Sequence, residues 1–341
     1  MDQGCVAVAF SGGVDSAVAA YLLQQQGYEV MALSMLLAKD KVDEAAVIAD
    51  KLGIKHHVID LRAQFKELII KPFLNEYAQA RTPNPCCWCN RQFKFTLLWQ
   101  EACKLGAKWL ATGHYARISQ KQNTYHLLRA LDAKKDQSYF LFALEQEDLA
   151  HTIFPLGELT KTEVKKKAEE LGLNISSRES QDVCFIKGPL REYLKANLSL
   201  HDGPILDQNG QYLGQHDGLP LYTLGQRQGL GIPASSRLYV KELNINENSL
   251  VLAPLEELQT RKVYIRNIKW TSGYPPIEIN QLQAQIRYGA QAQPVSLFFL
   301  DDGVCCVEFK KSVFAPTCGQ YIVFYKEDEV LGGGEISKLK R

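Results

Sequence analysis

The chain has 341 residues, of which 46% are hydrophobic and 23% are charged, and its formal net charge at pH 7 is +1. This is an ordinary globular composition with room for two or three domains, and so small a net charge excludes a global field that would attract nucleic acid. No apolar run approaches the length that spans a membrane, and residues 1–10 have no basic segment, so we expect no signal peptide and a cytoplasmic location.

The first half alternates short apolar runs with helical patterns. We predict strands at 6–10, 29–33, 57–59 and 108–112 and helices at 17–25, 42–52 and 93–105. Each helix ends at a glycine, as helices commonly do. Strands separated by helices of this length predict an α/β fold, a parallel sheet with helices on both faces.

The second half is rich in glycine, proline and short alternating runs. The pair Asn209-Gly210 predicts a hairpin, and further strands are predicted at 250–252, 263–268, 292–300, 304–309 and 321–325. This pattern is typical of small β-barrels. We therefore expect three domains: residues 1–190, a β-rich domain at 191–260 and a β-barrel at 261–341.

The segment Ser11-Gly-Gly-Val-Asp-Ser16 lies between the first strand and the first helix. Its glycines let backbone N–H groups approach a phosphate, and the helix N-terminus adds partial positive charge. Because the segment lacks the lysine of the other common phosphate loops, it suits a pyrophosphate held by backbone and hydroxyl groups, and hence AMP-forming chemistry. The alternative is an ordinary glycine turn with a polar helix cap.

Nine cysteines, without a signal peptide, favour thiols that do chemistry or bind metal over a disulfide scaffold. Cys86 and Cys89 follow two stiffening prolines in the segment 82–90. We expect a helix to begin just after Cys89 and, with Arg91 and Lys94, to lower the pKa of the thiol. The cysteines interpreted as mainly packing residues are Cys5, Cys87, Cys103, Cys305, Cys306 and Cys318, of which Cys87 is ambiguous because of its cysteine neighbours.

Cys184 lies in a strand-like run, 180–186, where a single cysteine is usually a core residue. Together with Cys89 it fits sulfur transfer, in which one thiol carries a persulfide and a second resolves it. The competing interpretation is that Cys86, Cys89 and Cys184 hold three corners of a [4Fe-4S] cluster. Zinc is less suitable, since a structural site needs a fourth protein ligand.

The motif at 11–16 resembles that of the PP-loop ATP pyrophosphatases, whose fold is a Rossmann-like sheet of the adenine-nucleotide α-hydrolase type. Six ordered motifs along essentially the whole chain resemble the tRNA-specific 2-thiouridylase family; they occupy 11–16, 82–90, 111–117, 135–139, 181–186 and 223–231. The resemblance implies ATP-dependent replacement of the C2 oxygen of the wobble uridine by sulfur in tRNAs for lysine, glutamate and glutamine. It also implies ATP with Mg2+ as cofactor and a persulfide-donating sulfur carrier protein as partner.

Carried over to this sequence, the resemblance makes Cys89 the nucleophile and Cys184 the persulfide carrier, and turnover leaves a disulfide between them. The residues that it assigns to the nucleotide are Ala9, Phe10, Ser11, Gly12, Gly13, Val14, Asp15, Ser16, Met35 and Gly113. Asp15 is expected to be catalytic as well. Those assigned to tRNA are Asn84, Pro85, Cys86, His114, Lys135, Asp136, Gln137, Arg287, Tyr288 and Gln320.

This chain departs from the family pattern at two places. The stretch 35–42 is shorter than usual, and Cys86 stands where some members have aspartate, which favours the version in which iron delivers sulfide. Two other functions compete. A different PP-loop ligase would not need paired cysteines, and a non-catalytic RNA-binding module would bind tRNA without hydrolysing ATP.

Overall fold

The computed structural model describes residues 3–37, 42–173, 183–233, 237–276 and 281–338. Residues 180–182 of the Cys184 motif, residues 38–41 of the short stretch and residues 339–341 lie outside these ranges. The strands of the first half are β1 Cys5–Ala9, β2 Glu29–Leu36, β3 Lys55–Asp60, β4 Trp109–Thr112, β5 Ala116–Lys121, β6 Thr124–Arg129 and β7 Thr152–Ile153.

Five of these strands form one parallel sheet in the order β3-β2-β1-β4-β7. The middle of β1, Val6 to Val8, is fully buried, because helices cover both faces of a sheet with parallel crossovers. The predicted Rossmann-like α/β sheet is confirmed. The hairpin of β5 and β6, which the sequence patterns did not indicate, belongs to another sheet.

The helices are α1 Val14–Gln25, α2 Val42–Leu52, α3 Arg62–Phe65, α4 Lys71–Ala78, α5 Pro85–Trp88, α6 Trp99–Lys104, α7 Gln146–Ala150, α8 Lys161–Glu170 and α9 Leu190–Asn197. π-helical turns, Lys66–Ile70 and Cys89–Leu98, connect α3 to α4 and α5 to α6. Short 3-10 turns occur at Ser138–Leu141, Leu219–Leu221, Leu255–Leu258 and Asp301–Gly303. Within the described ranges, no helix has both the length and the apolar character that crossing a membrane requires.

The helix predicted at 93–105 begins much earlier, at Pro85. Proline is accepted in a first helical turn because its missing N–H has no intrahelical partner there anyway. The proline therefore starts the helix instead of stiffening an irregular segment before it. As a consequence Cys89 lies inside a continuous helical stretch, and the expectation that a helix begins after it is wrong.

The strands of the second half are β8 Gly203–Asp207, β9 Tyr212–His216, β10 Tyr239–Asn244, β11 Ser249–Ala253, β12 Gln259–Trp270, β13 Gln283–Gln285, β14 Gln293–Phe299, β15 Cys305–Phe314, β16 Tyr321–Lys326 and β17 Glu329–Ile336. A four-stranded sheet has the order β10-β11-β8-β9. The hairpin predicted at Asn209-Gly210 joins β8 to β9, with Gly210 at a φ of +84°.

The last six strands close into a barrel, because β12 pairs with both β15 and β17. Strand β17 also pairs with β6, through Val330 opposite Leu127. The hairpin of the first half is thereby added to the sheet of the barrel. Val323, Tyr325 and Val330 of the barrel share one apolar core with Ala7 of β1, so the barrel packs directly on the α/β part.

Candidate active site

The glycine loop follows β1 and leads into α1. Gly12 has a φ of +73°, and a Cβ there would lie 2.8 Å from the Cα of Ala45, so only glycine suits the position. The Ser16 hydroxyl lies 3.3 Å from that of Ser11 and donates to the Gly13 carbonyl at 3.0 Å. Gly13 is the N-cap of α1 and supplies no capping side chain, so N–H groups of the first turn face the loop. The first turn of α1 therefore lacks the side-chain cap that the alternative required, an arrangement that suits a bound anion.

Asp15 lies in the first turn of α1 and is held by two partners from distant parts of the chain. The Lys161 ammonium donates to its two oxygens at 2.6 and 2.8 Å, and the Tyr115 hydroxyl donates at 2.8 Å. Only 14% of the Lys161 side chain is exposed. A partly buried ammonium therefore lies beside a loop whose own motif has no lysine. The sequence analysis missed Lys161, because it is remote in sequence and in no local motif.

The other residues assigned to the nucleotide lie at the same edge of the sheet, where β1, β2 and β4 end. Phe10 donates its N–H to Leu33 at 2.8 Å, and its carbonyl accepts from the buried Ser34 hydroxyl at 2.6 Å. Met35, near the end of β2, is half-buried. A Cβ on Gly113 would lie 3.0 Å from the Ser16 nitrogen, so the backbone after β4 touches the start of α1. Ligands of α/β sheets bind at this carboxyl edge.

His114 connects this edge to the cysteine helix. The Lys94 ammonium lies 3.3 Å from His114 Nε2 and can only donate, so Nδ1 carries the proton and donates to Thr112 Oγ1 at 2.7 Å. Burial, with the positive charge of Lys94, lowers the pKa of His114 well below its usual value. Lys94 also donates to Asn90 at 2.9 Å, and Asn90 donates to the Phe140 carbonyl at 3.0 Å. The imidazole is thus neutral and held in one tautomer.

Cys89 is half-buried, and burial raises the pKa of its thiol to about 12, against the lowering effect of Lys94. The predicted lowering of the pKa is therefore wrong. The two premises of that prediction do not hold, since Cys89 lies inside the helical stretch and Arg91 pairs with Glu145 at 2.5 Å. The neighbouring thiols Cys184 and Cys86 raise the pKa of Cys89 further.

Cys184 is exposed and lies in a turn closed by a 3.0 Å hydrogen bond from the Ile186 N–H to the Val183 carbonyl. It is neither a strand residue nor a core residue. The next residue, Phe185, anchors this turn, because its ring packs 5.6 Å from that of Phe65. Cys89 packs against the same apolar cluster. The structure thus brings the two predicted sulfur-handling residues into one neighbourhood.

Among the described residues, no three His, Cys, Asp or Glu side chains are placed to hold one metal ion. Cys86, Cys89 and Cys184 are neighbours, yet they do not form a ready set of cluster ligands. A [4Fe-4S] cluster at these three cysteines is therefore not shown among the described residues, and no step below depends on one.

The segment before the cysteine helix is fixed by the C-terminal barrel. Thr82 donates its N–H to the Cys318 carbonyl at 2.9 Å, and its own carbonyl accepts from Gln320 at 2.8 Å. The Trp88 indole donates to the Tyr321 hydroxyl at 2.6 Å. In the segment itself Asn84 and Pro85 are buried, whereas Cys86 is exposed. Gln320 thus positions the segment that carries three of the predicted tRNA residues.

Asp136 organises its loop from the inside. Its carboxylate accepts from the Arg129 guanidinium, the Ala130 N–H and both the N–H and the hydroxyl of Ser138, all within 3.1 Å. Gln137 exchanges hydrogen bonds with the backbone of Tyr115 at 2.8 and 3.0 Å. Both residues are therefore already engaged inside the protein.

The barrel reaches the same loop through Tyr288, whose ring lies 4.4 Å from that of Phe140. Burial, with the negative charge of Asp136, raises the pKa of Tyr288. The neighbouring Arg287 is exposed, and Lys135 is half-buried. Two basic residues and an aromatic ring therefore lie on the outer surface where barrel and α/β part meet.

Comparison with known proteins covers nearly the whole chain. Residues 4–188 match the family model described as the tRNA methyl transferase HUP domain, 191–254 its PRC-barrel domain, and 260–336 the aminomethyltransferase beta-barrel domain. A tRNA-specific 2-thiouridylase MnmA of Syntrophomonas wolfei is 41% identical over 335 residues, 97% of this chain and 99% of the relative. Another, of Trichlorobacter lovleyi, is 42% identical over 345 residues, 97% of both chains.

A solved 4-thiouridine synthetase–RNA complex with bound ATP is a remote likeness only. It is 20% identical, covers 57% of this chain and 50% of that chain, and has a TM-score of 0.37. The full-length relatives carry the assignment: this chain belongs to the tRNA-specific 2-thiouridylase family.

Proposed function

We propose that this protein replaces the C2 oxygen of the wobble uridine of tRNA with sulfur, using ATP to activate the oxygen and a cysteine persulfide to supply the sulfur. The observation that supports this most directly is the continuity of the site. The glycine loop touches Gly113, and the adjoining His114 contacts Lys94. The charge of Lys94 lowers the pKa of Cys89, and the neighbouring Cys184 raises it. The proposal includes the tRNAs for lysine, glutamate and glutamine and a cytosolic location, where tRNA and ATP are found.

ATP is activated at the glycine loop. Its phosphates would accept from the hydroxyls of Ser11 and Ser16 and from N–H groups at the start of α1. The uridine O2 attacks the α-phosphate, pyrophosphate leaves, and the C2 oxygen becomes part of an AMP leaving group. Mg2+ would accompany the triphosphate. Since Asp15 is already paired with Lys161, we assign the ion no protein ligand.

Sulfur transfer follows in two steps. The terminal sulfur of a Cys184 persulfide attacks C2, and AMP leaves with the former uridine oxygen. The Cys89 thiol then loses its proton to water and attacks Sγ of Cys184. The S–S bond breaks, and its electron pair leaves with the sulfur that is now bonded to C2. The products are 2-thiouridine and a Cys89–Cys184 disulfide. The exposure of Cys184 suits loading by a sulfur carrier protein, whereas the more buried Cys89 suits a thiol that acts inside the site.

The tRNA would lie across the junction of barrel and α/β part. Arg287, Tyr288 and Lys135 would contact it on the outer surface, and the uridine would turn out of the anticodon stack toward Asn84, Pro85 and Cys86. His114, Asp136, Gln137 and Gln320 would support these contacts through their bonds inside the protein.

The test is mass spectrometry of nucleosides from tRNA incubated with ATP, a sulfur donor and the protein. Cys184→Ala should abolish 2-thiouridine while ATP still binds, because the persulfide has no carrier. Asp15→Ala should lose AMP formation. The matched control is Cys103→Ser, which removes an exposed thiol from α6, outside the site. Unchanged thiolation by Cys184→Ala would reject the assigned role.

The same assay distinguishes the competing functions. AMP formation that Cys89→Ser leaves unchanged, without thiolated product, would favour another ligase. Binding of tRNA without ATP hydrolysis would favour a binding module.

A further inference from the structure

Cys86 and Cys89 occupy successive turns of one helical stretch. Cys86 is the second residue of α5, and Cys89 follows three residues later with helical dihedral angles of −60° and −44°. Cα atoms three residues apart in a helix are roughly 5 Å apart. This lies inside the range of about 4.4–6.8 Å that a disulfide spans. The Cα separation is therefore compatible with a Cys86–Cys89 bond. The Cβ atoms, about 5–6 Å apart on a regular helix, must still approach to about 3.5–4.5 Å, which requires a local adjustment of the first turn of α5.

The two thiols differ in access to solvent. Cys86 is exposed, whereas Cys89 is half-buried. Cys87, between them, points into the core beneath the parallel sheet and is only 4% exposed, so it is not available for exchange. Of the cysteines in this helix, Cys86 alone combines proximity to Cys89 with access from outside.

Cys89 has a thiol neighbour on either side. Cys184 and Cys86 both raise the pKa of Cys89 through their charges. Burial raises the pKa of Cys86 itself, against the lowering effect of Lys94. A disulfide formed between Cys89 and Cys184 during turnover would therefore have a third cysteine next to it. Exchange between a thiolate and a neighbouring disulfide needs only that contact.

Building on the proposed function, we propose that Cys86 is the resolving thiol that resets the enzyme. Its thiolate attacks Sγ of Cys89, a Cys86–Cys89 bond forms, the Cys89–Cys184 bond breaks, and Cys184 leaves as a thiolate that takes a proton from water. This step is an exchange without net oxidation. An external dithiol then supplies two electrons by attacking the exposed Sγ of Cys86, which returns both helix cysteines to thiols and becomes a disulfide itself.

The positions of the three cysteines give each a separate role. Cys184 becomes ready for a new persulfide before the external reductant arrives, and the reductant meets the disulfide at its accessible sulfur. Without Cys86 the reductant would have to attack the Cys89–Cys184 disulfide itself, through Cys184, its exposed half.

The test is a single turnover of the full-length protein, loaded with persulfide from inorganic polysulfide, with tRNA and ATP and no added reductant. Samples are quenched in acid, unreacted thiols are alkylated, and disulfide-linked peptides are quantified per 2-thiouridine formed. Because the amount of each disulfide is divided by the amount of 2-thiouridine formed, a substitution that only weakens contact with the base does not change the ratio. The variants are Cys86→Ser and, as control, Cys103→Ser; a thermal unfolding curve checks that each is folded.

For the wild type and Cys103→Ser we expect the Cys86–Cys89 disulfide, and for Cys86→Ser its loss and persistence of the Cys89–Cys184 disulfide. In steady state, Cys86→Ser should lose several-fold more turnover with a protein dithiol than with a small phosphine. A wild type that holds only the Cys89–Cys184 disulfide after making 2-thiouridine would overturn the role of Cys86 and leave the proposed function standing. A wild type that makes no 2-thiouridine would overturn both.

Discussion

The charge beside the glycine loop comes from Lys161, the first residue of α8. Its ammonium is largely buried and bonds both oxygens of Asp15, while Tyr115 donates to the same carboxylate. Hydrogen bonds between charged groups are among the stronger ones in proteins. The triad therefore fixes the first turn of α1 and keeps a positive charge next to the cradle where the proposed triphosphate would bind.

Lys161→Met should slow tRNA-dependent pyrophosphate release by about ten- to a hundredfold. A hydrogen bond to a charged group contributes about 1.5–3 kcal/mol, and each 1.4 kcal/mol is about a factor of ten in rate. Without the ammonium, the Asp15 carboxylate would repel the triphosphate. The control is Lys166→Met, on the same helix with 76% of its side chain exposed. Equal rates for the two variants would show that Lys161 does not act on the nucleotide.

At the level of the elements, the Cys184 turn depends on one aromatic residue. The Phe185 ring packs edge-on against Phe65, Phe73 and Tyr193, with centroids 5.2–5.9 Å apart. Phe65 and Phe73 lie on α3 and α4 of the α/β part, and Tyr193 lies on α9, which follows that part in the chain. The turn is therefore held over the cysteine helix by side-chain packing.

Phe185→Ala should slow formation of the Cys89–Cys184 disulfide in a single turnover by roughly tenfold, because aromatic pairs contribute about 0.5–1.5 kcal/mol each beyond their buried area. Pyrophosphate release should change little, since Phe185 does not contact the loop. Phe185→Leu, which keeps an apolar anchor, should recover most of the rate. Disulfide formation at the wild-type rate in Phe185→Ala would contradict this anchoring role.

At the level of the whole molecule, the C-terminal barrel fixes the start of the cysteine helix. It does so through the backbone of Thr82, through an ion pair of Arg81 with Glu335, and through the hydrogen bond from Trp88 to Tyr321. A barrel joined in this way positions the helix that carries Cys86 and Cys89, in addition to carrying the surface proposed to contact tRNA.

A double-mutant cycle on Trp88 and Tyr321 should show this coupling. Trp88→Phe and Tyr321→Phe should each lower the free energy of unfolding by about 1–3 kcal/mol, because each leaves one partner of a shielded hydrogen bond unsatisfied. The double variant should lose less than the sum, with a coupling of about 0.5–1.5 kcal/mol. Urea unfolding measures it, and Tyr274→Phe, at a residue 77% exposed, is the control. Additive losses would mean that the bond does not couple the two parts.

Local patterns of the sequence were enough for the α/β order of the first half, the glycine loop, the Asn209-Gly210 hairpin and the β-rich second half. These features depend on residues close together in the chain, through side-chain periodicity and the allowed backbone angles of glycine and proline. The proposal that Cys89 and Cys184 act together also came from the sequence. It rests on the chemistry of sulfur transfer and on the ordered motifs of a family, and not on side-chain periodicity.

The tertiary structure alone decided the rest. It set the burial that keeps Cys89 protonated, the approach of Lys161 to Asp15, the Phe185 anchor and the pairing of β6 with the barrel strand β17. Each is a contact between residues far apart in the chain. Burial and charge pairing depend on which surfaces meet after folding, so such contacts leave no periodic or local signal in the sequence.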